Sequence, residues 1–104
     1  MRKRNLIILL IFFVGACTAS QHIKPAEDDL NLARKRVPGI TMMDLHAGYK
    51  VYTTKCSGCH ALHNPKEYSA TQWKPILSEM LAKAKMNDER EKKLVSDYLV
   101  AKSR

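Results

Sequence analysis

Five consecutive residues, Cys56-Ser57-Gly58-Cys59-His60, constrain the fold of this chain more than any other stretch. Two cysteines with two residues between them, followed directly by a histidine, form the attachment site of haem c. At this spacing both thiols reach the vinyl groups on one edge of a porphyrin and form thioethers, and the histidine becomes an axial iron ligand. The motif therefore predicts one covalently bound haem c, held by Cys56, Cys59 and His60.

Two other sites contain a C-x-x-C pair, namely redox dithiols and zinc sites. Thioredoxin-like dithiols lie beside a βαβ unit, and this sequence has no strand pattern. A structural zinc site takes four ligands, and the third cysteine, Cys17, lies in a leader segment. Since neither alternative uses the histidine, haem attachment is the preferred interpretation.

The first sixteen residues have the order of an export signal. Residues 2–4 are basic, residues 6–14 form an apolar run too short for a comfortable transmembrane helix, and two small residues follow. Residues 14–17, Val-Gly-Ala-Cys, resemble the bacterial lipoprotein signal, in which the cysteine is acylated and becomes the amino terminus. An ordinary cleaved signal and an uncleaved anchor are the alternatives.

Lipidation of Cys17 predicts where the protein lies. Two or three acyl chains bury enough methylene groups, at about 0.8 kcal/mol each, to hold a protein on a bilayer. We expect a domain in the periplasm or extracytoplasmic space, the side on which haem is attached to apocytochromes. The predicted organisation is a signal peptide at 1–16, a lipidated tether with a short helix at 17–40, and a haem domain at 41–104.

Length and charge limit the remaining functions. Cleavage before Cys17 would leave 88 residues, enough for one small domain, which a covalently bound haem would help to stabilise. The formal charge falls from +8 to +5, because the leader contains three basic residues and no acidic one. A moderately basic protein favours acidic partners or anionic headgroups. The basic residues are dispersed and the protein is exported, so we expect no nucleic acid partner.

Helical periodicity predicts an all-α fold. Thr41 and Asp44 form a capping signal for a helix that runs to about Lys55 and leads directly into the motif. Asp88 and Glu91 form a second such signal for a terminal helix. We expect these two helices to cross with the pair Gly48 and Tyr52 against the pair Leu94 and Tyr98, because glycine lets two backbones approach closely.

Two further helices are predicted between and before these. One begins near Pro25, with acidic residues in its first turn and basic residues in its last. The other carries Trp73 and Met80 on its apolar side. Ser69 or Thr71 caps this helix, and the later start is favoured because Pro75 would then lie closer to the first turn.

A glycine-aromatic helix entering C-x-x-C-H and a terminal helix with a Leu94…Tyr98 stripe resemble the class I cytochrome c fold. The middle helix, in which Trp73 precedes Met80, is similar to the compact single-haem modules of bacterial c-type cytochromes. The resemblance covers roughly residues 41–100. It implies a small helical domain around one haem, with Trp73 filling space against the porphyrin.

The resemblance also implies an axial methionine opposite His60. Met80 lies seven residues after Trp73, hence on the same helix face, and matches the methionine of the compact modules. Met86, just before the terminal helix, is the alternative ligand. His63 is too close to His60 along the chain to reach the opposite face easily. A five-coordinate iron stays open.

Three functions from different classes are consistent with these features. The preferred one is one-electron transfer to partner proteins through an exposed haem edge by a membrane-anchored mono-haem cytochrome with His/Met-ligated iron. The others are a gas-binding or redox-sensing haem protein with a labile distal ligand, and a non-haem metal-binding lipoprotein. A role as the haem subunit of a larger oxidoreductase also stays open. We expect no enzyme activity, because no residue set for acid-base or nucleophilic catalysis is evident.

Overall fold

The structure, a computed structural model, describes residues 23–56 and 62–104, in which all regular secondary structure is helical and no strand occurs. The all-α prediction is confirmed. The predicted signal peptide and residues 17–22 lie outside the described ranges. Within the described ranges no helix has the length and apolar character needed to cross a bilayer. The elements, in chain order, are α1 (Glu27–Arg36), α2 (Met42–Lys55), a one-turn 3₁₀ helix (Pro65–Glu67), α3 (Ala70–Lys83) and α4 (Glu89–Lys102).

The predicted caps of α2 and α4 are confirmed. Thr41 Oγ1 accepts from the Asp44 N–H at 3.2 Å, and the Asp44 carboxylate accepts from the Thr41 N–H at 3.0 Å. At the start of α4 the Asp88 carboxylate accepts from two backbone N–H groups. The Glu91 carboxylate forms an ion pair with Lys55 at the end of α2, so it links the two helices.

The predicted later start of α3 is wrong, whereas α1 begins two residues after Pro25 and has the predicted acidic first turn and basic last turn. Ser69 caps α3: its hydroxyl accepts from the Gln72 N–H at 3.2 Å, and the Gln72 side chain accepts from the Ser69 N–H at 3.0 Å. This reciprocal cap outweighs the preference of proline for a first turn, and Pro75 lies inside the helix, exposed to solvent. Pro25 precedes α1, whose N-cap is Ala26.

The predicted crossing of α2 and α4 is confirmed. A Cβ atom at Gly48 would lie 2.3 Å from the Leu94 carbonyl oxygen and 2.5 Å from the Tyr98 Cβ. The Tyr52 and Tyr98 rings, both fully buried, lie 5.8 Å apart. The absence of a side chain at Gly48 therefore sets how closely the two helices approach.

On its other side, α4 packs against α1 and the segment before it. The Lys102 ammonium, on a side chain only 4% exposed, donates to the Asp29 carboxylate at 2.8 Å and to the Lys24 carbonyl at 3.2 Å. Burial opposes ionisation of Asp29, but its hydrogen bond with Lys102 and that with the Ala26 N–H outweigh burial and lower its pKa. Arg36 at the end of α1 donates to the Ser103 hydroxyl at 2.9 Å. Both ends of α1 are thus tied to the C-terminal part of α4.

We predict that Gly48→Ala destabilises the protein by about 1–3 kcal/mol, since the added methyl group overlaps the backbone and Cβ of α4. Helix propensity alone predicts the opposite sign, because alanine is favoured over glycine by about 1 kcal/mol. Urea unfolding followed by circular dichroism measures the difference. The neighbouring Ala47→Gly, at a partly exposed position, reports the propensity effect. A Gly48→Ala protein more stable than wild type would contradict the packing described here.

Candidate functional site

Cys56 lies at the C-terminal end of α2, where the helix delivers the chain into the motif. Its N–H donates to the Tyr52 carbonyl at 3.2 Å, which closes the last turn of the helix, and the residue is only 6% exposed. Cys59, His60 and the predicted lipidation site Cys17 lie outside the described residues. The structure therefore locates one end of the predicted attachment site.

Two buried aromatic side chains donate hydrogen bonds to backbone carbonyls of the loop that follows the motif. The Tyr52 hydroxyl donates to the His63 carbonyl at 2.7 Å. The Trp73 indole N–H donates to the Pro65 carbonyl at 2.8 Å. Both side chains are fully buried; the bond to the Pro65 carbonyl is buried and the bond to the His63 carbonyl is partly buried, so both carbonyls gain partners where the access of water is reduced. The loop that follows the motif is held to α2 and to α3.

A cavity of about 160 Å³ lies beside Cys56, between the end of α2 and one edge of α3. Its apolar wall is formed by Ile76 and Met80 of α3 and by Ala84, the C-cap of that helix, which recur every fourth residue and so share one face. The complete lining within the described ranges is Cys56, His63, Ile76, Glu79, Met80, Lys83 and Ala84. The fold thus brings together two sulfur-containing side chains, Cys56 and Met80, that are distant in sequence.

The two candidate methionines lie in different environments. Met80 is partly buried and lines the cavity beside Cys56. Met86 is 5% exposed and belongs to the main hydrophobic core, which also contains Tyr52, Trp73 and Tyr98. Its N–H donates to the Leu81 carbonyl at 3.1 Å in the turn after α3, where Lys85 has a positive φ of 52°. Which methionine binds iron stays a prediction.

Two pairs of polar side chains border the cavity. The Glu79 carboxylate accepts from the Lys83 ammonium at 2.7 Å, and this hydrogen bond together with the lysine charge lowers the pKa of Glu79. The His63 Nδ1 lies 2.9 Å from the Glu67 carboxylate. His46 is exposed on α2, and it is not among the described residues that line the cavity. Within residues 23–56 and 62–104, no three His, Cys, Asp or Glu side chains are grouped to hold a metal ion.

Aromatic rings fill the core beneath the site. The Tyr68 and Trp73 rings meet edge to face at 5.1 Å, and the Tyr49 and Tyr98 rings do so at 6.0 Å. Burial raises the pKa of Tyr52, and the neighbouring Cys56 raises it further. Burial likewise raises the pKa of Tyr98. Both hydroxyls therefore stay protonated and act as hydrogen-bond donors across the physiological range of pH.

The donor chemistry of the cavity fits a covalently bound haem c. Cys56 contributes a thiol suitable for a thioether bond, Met80 contributes a soft sulfur suitable for iron, and Ile76 and Ala84 contribute apolar walls.

The sequence pattern had not indicated the hydrogen bonds of Tyr52 and Trp73, because their acceptors are loop carbonyls that any residue carries. A buried Tyr or Trp generally needs a partner for its O–H or N–H, and that was the available signal.

Comparison with known proteins identifies one family. The model of a family described as dihaem cytochrome c matches residues 52–104, slightly more than half of the chain. The matched range begins at Tyr52 in α2 and includes the C-x-x-C-H motif, the described cavity lining, α3 and α4. Searches of curated proteins and of solved structures gave no match.

Proposed function

The chain belongs to the dihaem cytochrome c family, and from this premise we propose that it is a membrane-anchored one-electron carrier. In this proposal one haem c is attached at Cys56 and Cys59, with His60 and Met80 as its axial ligands. The anchor is a lipid on Cys17. The observation that carries the proposal beyond haem-based electron transfer in general is the cavity that Met80 and Cys56 both line.

The number of haems per chain is part of the proposal, because the family description specifies two. This sequence contains three cysteines, and two of them, Cys56 and Cys59, form its single C-x-x-C-H motif. These 104 residues therefore contain no second C-x-x-C-H motif at which another haem c could be attached. We propose one haem for each copy of this chain.

We predict a haem-to-protein ratio of one for protein exported by a host that assembles c-type cytochromes. The Cys56→Ser/Cys59→Ser double variant is expected to have no covalent haem, because both thioether bonds are lost. A pyridine haemochrome spectrum with the intact mass measures the ratio. A ratio of two would contradict the mono-haem proposal, and colourless wild-type protein would contradict haem attachment.

The chain's residues would set the properties of the bound group. Haem c supplies a metal centre that gains or loses one electron. A thioether from Met80 favours the reduced state, because soft donors stabilise ferrous iron. Ile76 and Ala84 line the cavity with apolar surface, and a low-polarity environment is a second means of tuning the potential. The polar groups of the cavity pair locally, Glu79 with Lys83 and His63 with Glu67, which supports a carrier without catalytic chemistry of its own.

We predict that Met80→Ala and Met86→Ala separate ligation from packing. Met80→Ala is expected to lose the weak band at the red end of the oxidised spectrum, and the reduced protein is expected to bind carbon monoxide rapidly. Met86→Ala is expected to retain the band but to lose about 2–5 kcal/mol of stability, because it leaves a cavity in the core.

Optical spectra of both variants report the band, and urea unfolding measures their stability. The reverse pattern would indicate that Met86 is the iron ligand. Rapid, stoichiometric binding of carbon monoxide by the reduced wild-type protein would favour a gas-binding haem protein with a labile distal ligand.

Anchoring and partners complete the proposal. An acylated Cys17 would hold the haem domain at a bacterial membrane, on its periplasmic or extracytoplasmic side. With a formal charge of +5 after cleavage before Cys17, we propose acidic redox proteins as partners.

We predict that Cys17→Ser releases the protein from the membrane fraction and abolishes its labelling by radioactive palmitate, while the haem is retained. The Cys56→Ser/Cys59→Ser variant is the matched control and is expected to show the opposite combination, because its lipid site is intact. Membrane-bound, labelled Cys17→Ser protein would contradict lipidation at this residue.

A further inference from the structure

We propose that Tyr52 is a positioning residue for His60, acting through the hydrogen bond from its hydroxyl to the His63 carbonyl. This inference rests on the proposed function, in which His60 is the iron ligand. It adds a role for a side chain that sequence analysis had assigned to helix packing.

Tyr52 holds both ends of the segment that contains Cys59 and His60. Its carbonyl accepts from the Cys56 N–H at 3.2 Å, and its hydroxyl donates to the His63 carbonyl at 2.7 Å. The six residues between these two contacts, 57–62, include the second cysteine and the histidine of the motif. Tyr52 therefore contacts both residues that flank this short segment, Cys56 and His63, and limits the distance between them.

The side chain that makes the second contact is itself held firmly. The Tyr52 ring is fully buried and packs against the Tyr98 ring at a centroid distance of 5.8 Å. Two residues beyond His63, the Trp73 N–H binds the Pro65 carbonyl at 2.8 Å and provides a further fixed point. Removal of the Tyr52 hydroxyl leaves a partly buried carbonyl without this donor, so the segment gains freedom at the end nearer His60.

Tyr98 provides a matched control. It is also fully buried, belongs to the same aromatic cluster and donates its hydroxyl to a backbone carbonyl. Its acceptor is Ile23, which lies in the segment before α1 and not in the loop after the motif. Tyr98→Phe and Tyr52→Phe therefore each remove one hydrogen bond from a buried tyrosine to a backbone carbonyl, and the two carbonyls belong to different segments of the chain.

The experiment measures the reduction potential and thermal unfolding of haem-loaded wild-type, Tyr52→Phe and Tyr98→Phe proteins. A less well aligned imidazole donates less electron density and stabilises the oxidised state less, so Tyr52→Phe is expected to raise the potential. The expected shift is at least threefold in the reduction equilibrium constant, which is about 28 mV for a one-electron couple. Tyr98→Phe is expected to lower thermal stability by about as much as Tyr52→Phe does, but to leave the reduction equilibrium constant unchanged within the error of the measurement.

Two further replacements at position 52 separate positioning from folding. Para-fluorophenylalanine keeps the volume of the hydroxyl but cannot donate, and it is expected to shift the potential as phenylalanine does. Para-aminophenylalanine keeps a donor at the same place and is expected to return the potential toward the wild-type value. If Tyr52→Phe fails to fold because of the small void, the fluorinated protein carries the test.

Equal potentials in wild-type, Tyr52→Phe and para-fluorophenylalanine proteins would overturn the inference while leaving the proposed function intact. Equal shifts in the Tyr52 and Tyr98 variants would also overturn it, because they would indicate a general loss of packing. If neither the phenylalanine nor the para-fluorophenylalanine protein folds, the hydroxyl is needed for folding, and this result would also contradict the inference. Wild-type protein without covalent haem would overturn the proposed function itself.

Discussion

The close approach of α2 and α4 at Gly48 is the contact on which the rest of the structure depends. A mid-helix glycine costs about 1 kcal/mol relative to alanine. Here it lets the α4 backbone and the Tyr98 side chain occupy the space that a side chain would fill. Tyr52 and Tyr98 then pack against each other in the core, and each buried side chain of this size contributes about 1.5–3 kcal/mol. The gain from burial outweighs the cost of the glycine.

This helix pair determines where the attachment motif begins. Because α2 is fixed against α4, its last turn places Cys56 at the edge of the core instead of on a free loop. Tyr52 and Trp73 then bind the two loop carbonyls that follow the motif. The segment with Cys59 and His60 is therefore bounded by contacts from α2 and α3, so the same residues that stabilise the core also constrain the site.

The middle helix has two different apolar edges. Trp73 and Leu77 are buried in the core shared with α4, whereas Ile76 and Met80 pack against that core and also line the cavity beside Cys56. A single helix thus contributes both to the stability of the domain and to the wall of the candidate site. On the far side, Lys102 and Arg36 bind α1 to the end of α4, so the N-terminal helix is part of the same folded unit although the family match begins only at residue 52.

Local sequence was sufficient for the helices, the two caps at Thr41 and Asp88, and the identity of the cofactor motif, because these depend on residues within one or two turns of each other. It was also sufficient for the crossing at Gly48, since a glycine on an apolar face has few other uses. It was insufficient for the start of α3, where the reciprocal cap of Ser69 and Gln72 competed with the preference of Pro75. Only the tertiary structure showed that Met80 lines the cavity while Met86 is buried in the core, and which groups accept from the Tyr52 hydroxyl and the Trp73 indole. These contacts join residues from different elements, and their acceptors are backbone carbonyls that leave no mark in the sequence.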